Sequence, residues 1–212
     1  MFTTYFDATD WIQSIPAPIN SQAWASRRRQ VNPWAQWNAY LNQVCLAVCL
    51  ANFKADFGLD IHSLDDRTND RTWGLVNGSV VTVGGHRLVL IPSEVVDQTE
   101  LEVPQEWIDI PSWAADYYVA IYLMPDMQTL QIAGFATHQQ IKQSGQLDRS
   151  NRSYHLSMEA LTKDLNLLGI STASYSSDQT RAAIESPPPS SDHPSPNLDS
   201  SASAPLQNSC RA

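Results

Sequence analysis

Basic residues are scarce in this chain: 13 Lys and Arg stand against 22 Asp and Glu, giving a formal net charge of −9 over 212 residues. That balance argues against a general nucleic-acid binder, whose affinity comes largely from neutralising phosphates. The one basic run, Arg27-Arg28-Arg29, points its side chains in different directions if helical and reads as solvated surface. Long apolar runs are missing too. The longest, Val44 to Ala51, is far short of the roughly 20 residues a membrane span needs. Met1 to Tyr5 has no basic region and no apolar stretch follows, so no secretory leader is expected. Cysteine is limited to three, an odd number with poor spacing, which fits a reducing compartment and a cytosolic protein. Catalytic signatures are absent as well: there is no His-Glu-x-x-His, Gly-x-Ser-x-Gly, Walker-type or dinucleotide glycine pattern. No metal, cofactor or membrane is therefore expected.

What is present organises around Ala115 to Gln140. Tyr117 to Met124 is apolar on both alternating faces, which predicts a strand covered on both sides, near the middle of a sheet. Leu130 to Phe135 answers it across a Pro125-Asp126 turn, and Thr137 caps a short helix running through Lys142. Upstream, Asn32-Pro33 is a strong helix start, and the helix should run to about Phe57 with Gly58 as its stop. Trp34, Trp37, Leu41, Val44, Cys45, Val48 and Phe53 form its apolar stripe. A shorter helix is expected from Ser21 through Arg29.

Asn77-Gly78 and Gly84-Gly85 each suit a two-residue hairpin loop. They predict a meander of Thr72–Val76, Ser79–Val83 and His86–Ile91, with Val80 opposite Val89. The face carrying Val76, Val81, Val83, Leu88 and Leu90 is the more aliphatic and should lie against the long helix. Thr82 and Arg87 share the other face. Gly58 to Asp70 and Gly145 to Asn151 read as polar connections, Leu101–Val103 and Ser153–Leu156 as short strands. Ser157 should cap a last helix carrying Met158, Leu161, Leu165 and Leu168. Beyond Ser171 lie six of the thirteen prolines among many serines, a composition that cannot offset its ordering entropy.

Two sets of residues could carry function. His138 and His155 stand at the ends of predicted elements and, with Asp116 or Asp148, could line a pocket for acid–base work or a small ligand. Trp107, Trp113 and Phe135 lie in or beside connections, where large aromatics can anchor a protein partner or wedge the loops onto the sheet. Cys45 and Cys49 in the apolar helix read as buried small hydrophobes, because such a site raises thiol pKa.

The runs RLVLIPSE (Arg87–Glu94), VPQEWIDIPSWAADYYVAIYLMPD (Val103–Asp126), LQIAGFATHQQIK (Leu130–Lys142) and SYHLSMEALTKDLNLLG (Ser153–Gly169) resemble a cyanobacterial family, domain of unknown function 1822. The resemblance spans roughly residues 5 to 170. It implies a soluble helix-then-sheet domain and carries no activity with it. The expectation is a lead-in (1–20), one α+β domain (21–170) and a disordered tail (171–212). Its sheet should be mainly antiparallel, with closure as a small barrel as the alternative, and covered by the long helix. The function expected is a non-enzymatic protein-interaction or regulatory module, with an enzyme or small-molecule binder at His138 and His155 as the alternative.

Overall fold

The computed structural model describes residues 7–30, 32–57, 61–63, 76–83, 86–94 and 98–169. The Pro/Ser-rich tail, nearly all of the strand expected at Thr72–Val76, and the Gly84-Gly85 turn lie outside the described residues. In chain order the elements are β1 (Ile12–Ser14), α1 (Ala17–Ser26), α2 (Pro33–Phe57), β2 (Ile61–Ser63), β3 (Ser79–Val83), β4 (His86–Ser93), β5 (Glu100–Pro104), α3 (Gln105–Asp109), β6 (Tyr117–Leu123), β7 (Thr129–Thr137), α4 (His138–Ser144), β8 (Gln146–Asp148), β9 (Ser153–Ser157) and α5 (Asn166–Gly169). The fold is α+β. A six-stranded sheet runs β1-β7-β6-β4-β3-β2, and a three-stranded sheet runs β5-β9-β8. The larger sheet curls as a half-barrel and stays open, with β1 and β2 at its edges.

Local chemistry explains most of these boundaries. Asn32 Oδ1 accepts from the Ala35 N–H at 2.7 Å, and Pro33 occupies the first turn of α2, where no N–H is needed. The shorter helix begins at Ala17, four residues before the expected start, because Pro16 and Pro18 suit a first turn. Thr137 Oγ1 caps α4 by accepting from Gln140 N at 3.1 Å. Strand β6 lies between β4 and β7, and β3 and β4 pair in the predicted register, Val80 with Val89 and Val81 with Leu88.

Both faces of the larger sheet are buried. On one, Val81, Val83, Leu88, Leu90, Val119, Ile121, Leu123, Leu130 and Ile132 pack with Leu41, Val44, Cys45, Val48 and Phe53 of α2. On the other, Val80, Val89, Ile91, Tyr118 and Ala120 pack with Leu101, Val103, Trp107, Ile141 and Leu156. The second face is thus a core of its own, roofed by the small sheet and α3. Val76, expected on the α2 side, packs against this second core. Arg87 is half-buried, its Nη1 donating to Ser112 O at 2.6 Å.

The sheet is mainly antiparallel, as expected, with one parallel pair, β4 with β6, Leu88 opposite Tyr117. The crossover between these two carries β5 and α3 over the second face. Three expectations need correction. First, β3 pairs on its outer side with β2, Ser63 opposite Val81, so the segment read as a polar connection supplies an edge strand. Second, Trp34 is 59% exposed and leaves the apolar stripe of α2. Third, the helix expected from Ser157 is two short pieces, a 3-10 turn at Met158–Ala160 and α5, because Thr162 pairs with Phe135 instead.

That last pairing depends on a bulge in β7. Ala120 faces Gly134 and Ile121 faces Ile132, leaving Ala133 extra. Gly134 has φ 135°, and a Cβ there would come within 2.9 Å of Thr162 O. The Ala133 carbonyl freed by the bulge accepts from Lys163 Nζ. Before the bulge β7 pairs with β1; after it, with Thr162. Trp11 is 1% exposed beside Phe53, so the lead-in (1–20) anchors in the core and contributes an edge strand, Ile12–Ser14.

Candidate functional site

The aromatic residues expected to meet a partner are core residues. Trp107 is fully buried, and its Nε1 donates to Asn77 O at 2.8 Å. Phe135 is 3% exposed, edge-on to Tyr117. Trp113 is partly buried against the core that holds Trp107, 5.4 Å from the Trp107 ring. Trp107 and Trp113 wedge the β5–β6 connection onto one face of the sheet, Phe135 is a β7 residue in the core on the other face, and Trp107 and Phe135 offer a partner no surface.

The two histidines have separate surroundings. His138 opens α4 with Nδ1 3.0 Å from the Tyr118 hydroxyl, which donates its one proton to Trp107 O at 2.7 Å. The hydroxyl must therefore accept from His138, which fixes the proton on Nδ1. Burial holds His138 below the usual histidine range; Lys142 adds repulsion, and Asp109 and Asp116 partly oppose it. Burial also pushes the Tyr118 hydroxyl up to about 12. Asp116 Oδ2 accepts from Arg87 N at 2.8 Å and lies 3.6 Å from His86 Nδ1. Asp148 ties down the β8–β9 turn through Ser150 and Asn151, and these bonds lower its pKa. His155 Nε2 meets Ser153 Oγ at 2.9 Å, and its Nδ1 meets Glu100 Oε2 at 3.1 Å. His138 and His155 share no hydrogen-bond partner among the described residues.

The order Ser153–His155–Glu100 has the connectivity of a catalytic triad. Its setting differs from one. Ser153 is 7% exposed, and β9 runs between β5 and β8, with Ser153 opposite Pro104 and Asp148. A nucleophile also needs converging donors for an oxyanion near its oxygen, and ladder geometry turns N–H groups toward neighbouring strands instead. These bonds latch the outer face of the small sheet.

Sequence reasoning missed a cleft of about 660 Å³ between the first turns of α2 and the small sheet. Trp34 and Asn38 from α2 form one side, Val76 and Asn77 lie beside them, and Glu102, Glu106, Arg152 and Ser153 stand on the sheet side. Glu106 is neutralised by Arg152 at 2.8 Å, and Arg152 has φ 55°, uncommon for a residue with a side chain. Asn38 is 6% exposed, and its Nδ2 is shielded from water with no partner among the described residues. Asn77 donates Nδ2 to Pro92 O at 2.8 Å, and its Oδ1 is buried with no partner among the described residues.

One turn further along α2, Asn42 behaves oppositely. It is 7% exposed, its Oδ1 accepts from Gly78 N at 2.8 Å, and its Nδ2 donates to Val76 O at 3.3 Å. Asn38 and Asn42 at i and i+4, aligned with Trp34 and Leu41, were a readable signal of a polar seam in the helix.

Among the described residues no group of three or more His, Cys, Asp or Glu is placed to hold a metal. Cys45 and Cys49 are free and buried, and burial pushes both thiols up, away from nucleophilic use. No described helix is long and apolar enough to cross a membrane. No curated protein and no solved structure matches the chain. A family model described as protein of unknown function (DUF1822) matches residues 14–208, and the chain belongs to that family.

Proposed function

We propose that the domain is a non-enzymatic regulatory module that binds a small polar ligand in the cleft between α2 and the three-stranded sheet. Asn38 carries this reading. A buried amide donor without a partner costs about 1–3 kcal/mol, so a fold that keeps one beside a cleft has a use for it when something fills the cleft. The cleft volume is within the range of small-molecule sites. The alternative enzyme at His138 and His155 loses support because the two rings have disjoint partners. A protein partner held through Trp107, Trp113 and Phe135 loses support because Trp107 and Phe135 are buried and Trp113 packs against the core around Trp107. A location inside the cell belongs to the same proposal, supported by the free cysteines in the core.

Asn38→Leu tests it. Removing an unpaired buried amide should raise stability by about 1 kcal/mol in urea unfolding, the signature of a group retained for binding. A loss of stability instead would make Asn38 part of the scaffold and end this reading.

A further inference from the structure

Resting on the reading of this cleft as a binding site, we infer that its ligand is a small organic cation of the guanidinium class. The cation is drawn by the Glu102 carboxylate and covers the open face of Trp34. Both residues line the same cleft, Trp34 from α2 and Glu102 from β5. Trp34 is 59% exposed, and no ring or guanidinium covers it among the described residues. An indole face attracts cations through its quadrupole, and the planar guanidinium is the side-chain cation that also stacks on it. Glu102 is the uncompensated charge of the cleft. Glu106 is bonded to Arg152 at 2.8 Å, whereas no Lys or Arg comes within 4.0 Å of Glu102 among the described residues. The His155 Nδ1 that lies 4.0 Å from Glu102 is nearer to Glu100, at 3.1 Å.

The fold makes both halves of this contact with its own arginines. The Arg27 guanidinium lies 3.7 Å over the Trp24 ring, and that of Arg152 meets the Glu106 carboxylate on the sheet side of the cleft. A guanidinium ligand repeats that chemistry at the two lining groups left without it, one aromatic face and one carboxylate. A chain at −9 draws cations toward it and repels anions, which favours the same sign of ligand. The volume of about 660 Å³ leaves room for a molecule the size of arginine.

Calorimetry on the full chain at low salt tests this with butylguanidinium as the probe. It should bind saturably with a Kd below about 5 mM, a modest affinity suited to so small a ligand. Butylurea has the same shape without the charge and should bind at least about fivefold more weakly. Pentylammonium keeps the charge without the flat fork and should also bind more weakly. Trp34→Ala and Glu102→Gln, both at exposed positions, should each weaken binding of the probe at least about threefold while the chain stays folded. Glu159→Gln removes the same charge from an exposed site outside the cleft lining and should leave binding unchanged. Absence of saturation overturns the inference, as does equal binding of butylurea or pentylammonium, or unchanged binding by either cleft variant. An equal loss in Glu159→Gln overturns it too, because attraction to the overall charge would then account for the binding. Should the probe fail while Asn38→Leu still stabilises the fold, the ligand class is wrong and the cleft itself stands.

Discussion

Two adjacent turns of α2 do different work. Around Asn42 the helix is keyed onto the sheet: a buried amide reaches Gly78 and Val76, and Leu41, Val44 and Cys45 pack on Val81 and Leu88. Around Asn38, Trp34 stands open, and the Nδ2 of a second buried amide has no partner among the described residues. The residue type, helix and degree of burial are the same. What differs is whether the opposite wall supplies a partner, and this separates a polar group that specifies a fold from one left unsatisfied among the described residues.

The comparison can be broken at its strong end first. Leu88→Ala removes a side chain, 2% exposed, from the floor under Asn42's turn and should cost about 2–5 kcal/mol in urea unfolding. A much smaller cost would mean that α2 does not press on β4 there. Asn42→Ala strands the Gly78 N–H and the Val76 carbonyl, and should cost about 1–3 kcal/mol. Set against the gain expected for Asn38→Leu, the two asparagines should shift stability in opposite directions; equal signs would erase the distinction between the turns. The smallest effect sharpens the contrast from the far side of the sheet. An unfolded histidine takes up a proton near pH 6.5, whereas burial makes folded His138 resist one. The unfolded state therefore binds more protons below that pH, and stability falls as pH drops from about 6.5 through the lower folded value. Melting curves at pH 7.5 and 5.5 should show this slope, and His138→Asn should flatten it. An unchanged slope would assign the loss to other groups.

Periodicity made much of the fold legible. The alternation of Ser79–Val83 against His86–Ile91 fixed the register, since a slip of one residue would have turned Val81 and Leu88 outward. Asn32-Pro33 fixed the start of α2, and the doubly apolar Tyr117–Leu123 was placed inside the sheet by its lack of alternation. What was not legible depends on contacts distant in sequence. The parallel pairing of β4 with β6 has no local turn to announce it. Nor does composition show that β5 and β9 roof the second face, which hides Val80, Val89 and Trp107. The cleft fared worst, because it is bounded by three regions, near residues 34–38, 76–77 and 102–106, and by the 151–153 turn. Asn38 was visible as a polar residue in an apolar stripe, but its lack of a partner is a fact about the opposite wall.

The bulge at Ala133 has a mechanical side. By letting β7 change partners, it brings the first and last described segments to one seam, with Ala8 N donating to Lys163 O at 2.6 Å and Asp7 bridged to Asp164 in antiparallel sense. Tension applied outward at residues 7 and 164 meets this seam end-on, so its bonds are loaded singly, as in a zip, instead of all together as in shear. The covering helices and the central hairpin would bear no load until the seam had opened. A pull on the two ends would thus peel β1 and Thr162 from β7 at low force, leaving a frayed but folded sheet.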